Sequence, residues 1–258
     1  MSNPTTPADA LAPSAPAAAP SQVTPQPSPP PHADNVFEMS FLWKCCRVVF
    51  RIFSTLVFDL KVWGLEHVPE RGGVLLVANH QSFLDPPLVS GRLNRPVSFM
   101  AKSELFENPL FAKLIRALHA YPVRQGRGDK SAIEETVRRL HEGHVLNIYP
   151  EGARTTDGRL QPIQRGVALV VKKADVPIIP VVLDGSYDAY PRGWKIFRPY
   201  PIRILYGPPL DVSGLKGEQI VKLIDRTFHE MMADLHQRAW KLDPKWSSSL
   251  TKLEAKRG

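Results

Sequence analysis

A histidine and an aspartate five positions apart, His80 and Asp85, close the segment Asn79-His80-Gln81-Ser82-Phe83-Leu84-Asp85. A neutral imidazole is suited to take a proton from an alcohol near physiological pH. A carboxylate beside it would fix the ring's tautomer and stabilise the imidazolium that forms. Five residues amount to roughly 140° around a regular helix, so the two groups share no helical face. Pairing therefore requires His80 in a loop and Asp85 in the first turn of a helix, a start that Pro86 and Pro87 favour. Alone, the spacing often occurs by chance, as a strand-end histidine and a helix-capping aspartate with no chemistry between them.

A second polar segment is Tyr149-Pro150-Glu151-Gly152-Ala153-Arg154. It offers a tight turn at Glu151 and Gly152, and a planar guanidinium at Arg154 that suits phosphate. Thr155, Thr156 and Gly158 extend a polar loop whose backbone donors are expected to face an anion. Arg124 and Arg127, in Pro122-Val123-Arg124-Gln125-Gly126-Arg127, add positive charge, or are a solvated basic loop. A base next to an anion site describes chemistry on a hydroxyl of a phosphate-bearing substrate.

Both segments follow short apolar runs. Runs at Val74–Ala78, Val97–Met100, Val145–Tyr149, Ile178–Leu183 and Ile202–Tyr206 predict strands. Helices are expected at Asp85–Leu93, Pro109–His119, Lys130–Glu142, Arg165–Ala174 and Glu218–Trp240. Strand and helix in alternation predict an α/β sheet covered by helices on both faces, spanning 61–240. A basic tail follows at 241–258.

The N-terminal part differs. Ten of the 26 prolines fall in residues 1–34, which lack the basic start and apolar stretch of a secretory leader. That composition predicts a disordered arm. Residues 35–60 are dense in Phe, Val, Leu and Trp, with Lys44, Arg47 and Arg51 at helical spacing. The expectation is an amphipathic helix or helix pair in a membrane interface, its cations on lipid phosphates, in place of a spanning helix. A buried core helix with basic side chains reaching solvent is the alternative.

With Lys and Arg outnumbering Asp and Glu 33 to 25, the formal charge of +8 suits an anionic partner such as a bilayer or a phosphorylated substrate. No stacking-aromatic pattern of a nucleic-acid module accompanies it. The two cysteines, Cys45 and Cys46, are adjacent and predict no disulfide framework. A hydrolase elbow of the Gly-x-Ser-x-Gly type is absent. His141-Glu142-Gly143-His144 is one residue short of zincin spacing, and Gly126-x-Gly128 lacks the rest of a phosphate-binding loop.

Taken in order, four blocks resemble the glycerolipid acyltransferases, specifically 1-acylglycerol-3-phosphate O-acyltransferases. They are NHQSFLD (79–85), YPVRQGRGD (121–129), YPEGARTTDG (149–158) and VPIIPVVLDG (176–185), followed by RPYPIRILYGPPL (198–210). Ala153 departs from the pattern, standing where the family usually carries Thr or Ser. The resemblance implies transfer of a fatty acyl group from acyl-CoA or acyl carrier protein to the hydroxyl of lysophosphatidic acid. Another lysophospholipid, or glycerol 3-phosphate, is the alternative acceptor, and a non-catalytic lipid-binding protein the alternative role. It implies that His80 is the general base, that Asp85 orients it, and that Glu151, Gly152, Arg154 and Arg124 bind the acceptor. Ile179 and Pro180 would shape the site. No metal or organic cofactor is implied, and the expected location is peripheral, on the cytoplasmic face of a membrane.

Overall fold

A computed structural model of the chain describes residues 41–117, 120–123, 130–248 and 252. The expected arm at 1–34, the first residues of the amphipathic segment and Arg124 to Asp129 lie outside the described residues. The strands are β1 (Lys61–Trp63), β2 (Val74–Ala78), β3 (Val97–Lys102), β4 (Ala120–Val123), β5 (Val145–Ile148), β6 (Ile178–Asp184) and β7 (Arg203–Tyr206). The α-helices are α1 (Phe41–Phe58), α2 (Asp85–Gly91), α3 (Pro109–Ala117), α4 (Lys130–His141), α5 (Val167–Ala174), α6 (Ser186–Ala189) and α7 (Gly217–Leu242).

The seven strands form one sheet in the order β1-β7-β6-β2-β5-β3-β4. Five run parallel, from β4 across to β6; β7 pairs antiparallel with β6, and β1 runs with β7. The apolar runs of β2 and β6, and of β5 apart from the buried Asn147, reflect burial on both faces. Along β2, Val74, Leu76 and Ala78 enter a cluster with Phe58 of α1 and Leu88 and Val89 of α2. Leu75 and Val77 enter the opposite cluster, with Leu140 of α4, Val170 of α5 and Phe228 of α7. The sheet is thus covered on both faces. Strands β1 and β4 are not anticipated by the apolar runs, because one is three residues long and the other contains Pro122.

Helix α1 turns out differently from the expectation for its cations. Arg51 Nε donates to Gly91 O at 2.9 Å, and its Nη2 to Arg92 O at 2.6 Å. Arg47 Nη1 donates to Leu93 O at 3.1 Å. These are the carbonyls that the end of α2 leaves without helical partners, and a guanidinium there also meets the negative end of the helix. Arg47 and Arg51 therefore face the domain, not lipid phosphates. Phe50 lies against Gly91, where an added Cβ would sit 2.5 Å from its ring. The outward side carries Val49, Ile52 and Leu56, at 66%, 56% and 79% exposure. No helix among the described residues is long and apolar enough to cross a membrane. Replacing Arg51 with alanine is expected to lower the unfolding free energy by about 2 kcal/mol, through the loss of the donors to Gly91 O and Arg92 O. Urea titration reads this directly, and an unchanged midpoint would remove Arg51 from the role.

Candidate active site

Three neighbouring parallel strands, β5, β2 and β6, deliver the polar groups to one edge of the sheet. Val77 is in register with both Ile148 and Pro180. The segments that follow each strand consequently leave side by side at the carboxyl ends, where α/β sheets hold their ligands. From β2 come His80 and Asp85, from β5 come Glu151 to Arg154, and from β6 come Asp184 and Ser186.

His80 Nδ1 lies 2.7 Å from Asp85 Oδ2, with His80 in the loop and Asp85 opening α2. A carboxylate only accepts, so in the neutral ring Nδ1 carries the proton and Nε2 keeps its lone pair. Nε2 has no hydrogen-bond partner among the described residues, and the imidazole is 17% exposed while Asp85 is fully buried. The ring stacks on Tyr149, centroids 3.9 Å apart and planes 17° apart. Burial, and secondarily the Asp85 charge, keep the Tyr149 hydroxyl well above its ordinary pKa.

Asp85 Oδ2 also accepts the backbone N–H of Gln81 at 2.6 Å and of Ser82 at 2.7 Å. Ser186 Oγ donates to the other oxygen, Oδ1, at 2.6 Å. Four donors leave this carboxylate one orientation. Asn79 pins the start of the loop, exchanging hydrogen bonds with Leu183 N at 2.8 Å and Leu183 O at 3.0 Å.

The second segment closes against the first. Gly152, at φ +76°, allows its N–H to return to Tyr149 O at 3.0 Å. Thr155 N donates to His80 O at 2.9 Å, joining the two loops through backbone. That amide is therefore not turned to an anion as the sequence suggested. Two further amides of the loop also bond internally, Asp157 N to Thr155 Oγ1 and Arg159 N to Asp157 Oδ1. Glu151 is buried, and its Oε2 accepts the His80 N–H at 3.2 Å. Burial pushes its carboxyl up to about 8, against the smaller pull of the Gln161 and His80 amides. Near neutral pH it is mostly uncharged, and so repels no anion beside it.

Arg154 extends over the exposed Phe83 ring, its guanidinium carbon 3.5 Å from the centroid. Burial lowers its pKa, and so does the nearby charge of Arg192. Two like charges set together, with no carboxylate bridging them among the described residues, make a place for an anion. Arg192, on the loop after α6, is a site residue that the sequence did not announce. Arg124 lies outside the described residues. Ile179 is fully buried in the sheet and shapes the core, not an opening.

Ser186 and Gln81 are also additions. Gln81 Nε2 donates to Gly158 O at 3.0 Å and Asp184 Oδ1 at 3.1 Å, which aims its Oε1 at Ser186 Oγ and Tyr187 N, both 3.3 Å away. Asp184 Oδ2 in turn accepts from Ser248 Oγ at 2.5 Å and pairs with His236 Nε2 at 3.0 Å. Gly185, at φ +92° and with Pro201 O 2.2 Å from where a Cβ would sit, makes the turn that presents Ser186. An Asp-Gly-Ser after an apolar run was the available signal, but nothing in it indicates the partner. The histidines of 141–144 are used otherwise: His141 Nε2 meets Ala174 O at 3.0 Å, and His144 lies near Glu142.

Ser82 donates to Tyr190 O at 2.8 Å, so the hydroxyl close to His80 in sequence is not held as a nucleophile. An oriented imidazole with one nitrogen unoccupied therefore stands at a cationic strand end. The Acyltransferase family profile matches residues 59–184. A 1-acyl-sn-glycerol-3-phosphate acyltransferase of Limnanthes alba is 30% identical over 200 residues, covering 70% of each chain. One from Bacillus subtilis (strain 168) is 24% identical over 201 residues, covering 76% of this chain and 98% of that one. The crystal structure of the 1-acyl-sn-glycerophosphate (LPA) acyltransferase PlsC from Thermotoga maritima superposes with a TM-score of 0.64 at 27% identity. It covers 74% of this chain and 79% of that one. The chain belongs to this acyltransferase family and is an acyltransferase enzyme.

The buried Glu151 carboxyl generates a pH signature. The unfolded chain loses this proton near 4.5, while the folded protein keeps it until about 8. Stability from this group therefore falls as pH rises through that window and is flat above it. Glu151→Gln should remove the slope, gaining on the wild type by on the order of 4 kcal/mol between about pH 4.5 and about pH 8. Denaturant unfolding of both proteins across pH measures it, and parallel curves would contradict it.

Proposed function

We propose that this enzyme transfers a fatty acyl group from a thioester, acyl-CoA or acyl carrier protein, to the free hydroxyl of lysophosphatidic acid, giving phosphatidic acid. The observation that carries the reading is the 2.7 Å His80–Asp85 hydrogen bond, which leaves Nε2 unoccupied next to the Arg154 turn. The relatives named above, all acyltransferases of acylated glycerol phosphates, support the choice of acceptor.

His80 Nε2 takes the proton of the acceptor hydroxyl as its oxygen attacks the thioester carbonyl. The tetrahedral intermediate collapses, the carbon–sulfur bond breaks, and the departing thiolate takes the proton from the imidazolium. Asp85 holds the ring and stabilises its charge between these steps. Arg154 and Arg192 receive the phosphomonoester, Arg124 being a further acceptor-binding residue that the family resemblance implies, and Gly152 lets the backbone turn close beside it. Glu151 serves this site through the His80 backbone, with its neutral carboxyl sparing the phosphate a like charge. The thioester is already activated, so the reaction calls for no metal or organic cofactor.

Both the acceptor and the product are lipids, and α1 turns Val49, Ile52 and Leu56 outward. That side supports peripheral attachment to the cytoplasmic face of a membrane, by apolar contact instead of through Arg47 and Arg51.

Labelled acyl thioester with lysophosphatidate, set against glycerol 3-phosphate and headgroup-bearing lysolipids, tests the reaction and separates the enzyme from a lipid carrier. His80→Ala is expected to lower kcat by about a thousandfold with the fold intact by circular dichroism. Unchanged turnover would overturn the assignment. Arg154→Ala should raise KM for lysophosphatidate about tenfold, with little change for the acyl donor. An equal rise for both substrates would remove Arg154 from the phosphate.

A further inference from the structure

The loop from Pro191 to Pro199 leaves directly from the site, since Tyr190 O holds Ser82 Oγ. Its base is closed: Arg198 N donates to Ala189 O at 2.8 Å, and Arg198 Nε to Asp188 O at 2.6 Å. The tip is built of residues that a water-facing surface has no use for. Ile196 is 76% exposed and Trp194 53%, with Arg198 5.3 Å from the indole centroid. Arg192, Lys195 and Arg198 supply three positive charges, and the stretch contains no acid.

This tip is joined to the outward side of α1. The Phe197 ring meets the exposed Phe53 edge-on at 5.9 Å between centroids, and the core residue Phe58 beneath it at 5.6 Å. The apolar residues of the helix and of the loop therefore belong to one surface, flanked by cations and adjoining the dyad. From this continuity and charge we infer that the loop tip, through Trp194, Ile196 and Lys195, is a second membrane contact that inserts into an anionic bilayer. An indole and an aliphatic chain enter the headgroup boundary while the lysine meets lipid phosphates. With α1 it widens the apolar contact into one continuous face, which fixes how the catalytic opening meets the lipid surface. The inference rests on the membrane reading of the proposed function.

Full-length wild type and the double variant Trp194→Ser/Ile196→Ser are compared by flotation with phosphatidylcholine vesicles, with and without phosphatidylglycerol. The variant is expected to bind the anionic vesicles about tenfold or more weakly, while acyl transfer to a micelle-free, short-chain lysophosphatidate stays at the wild-type rate. Lys195→Gln should narrow the difference between anionic and neutral vesicles. Equal vesicle binding by wild type and double variant would overturn the inference and leave α1 as the sole anchor. So would a matching loss on the short-chain acceptor, which would assign the loop to the substrate pocket. A wild-type dimer that the variant converts to monomer would assign the tip to a second copy of the chain. Failure of the wild type itself to float would instead sink the membrane reading.

Discussion

One buried carboxylate, Asp85, organises the candidate site. Sealed from water, it collects the His80 ring, two backbone amides of its own loop and the Ser186 hydroxyl. A buried charge is tolerable only when its lone pairs are filled, so the surroundings are as constrained as the group itself. The loop must curl for Gln81 and Ser82 to reach Oδ2, and β6 must end where Ser186 reaches Oδ1. Register among β5, β2 and β6 supplies that geometry, and the Thr155–His80 backbone bond locks the third segment in place. The imidazole inherits its aim from this packing, with Tyr149 as the floor beneath it.

Much of this was legible in the chain. The central strands announce themselves because burial on both faces demands unbroken apolar runs, and the two long polar breaks after β2 and β5 mark the site. The need for His80 in a loop and Asp85 in a first helical turn follows from helix geometry alone, and both are found there. Strands β1 and β4 were not legible, being short or proline-bearing segments whose pairing comes from the sheet and not from their own pattern. Ser186, Gln81 and Arg192 escaped for a related reason. Their partners lie about a hundred residues away, or on a loop whose course the sequence does not specify.

The cations of α1 carry a different lesson. Lys44, Arg47 and Arg51 at helical spacing look like a charged face for lipid, yet two of them fill the open carbonyls at the end of α2. Helix ends compete for guanidinium groups as effectively as phosphates do, and a spacing argument cannot tell which will win. The consequence is a helix that turns its guanidinium groups and the Phe50 and Phe58 rings to the protein, while Val49, Ile52 and Leu56 face outward.

Asp184 extends the same hydrogen-bonded body to the far end of the chain. One of its oxygens fixes the Gln81 amide, while the other holds Ser248 and pairs with His236 of α7. Ser248 and His236 thereby buttress the Gln81 amide from behind through Asp184. Erosion at that terminus, by a protease or a frameshift, would register first as slack in the Gln81 amide and only later as loss of the fold.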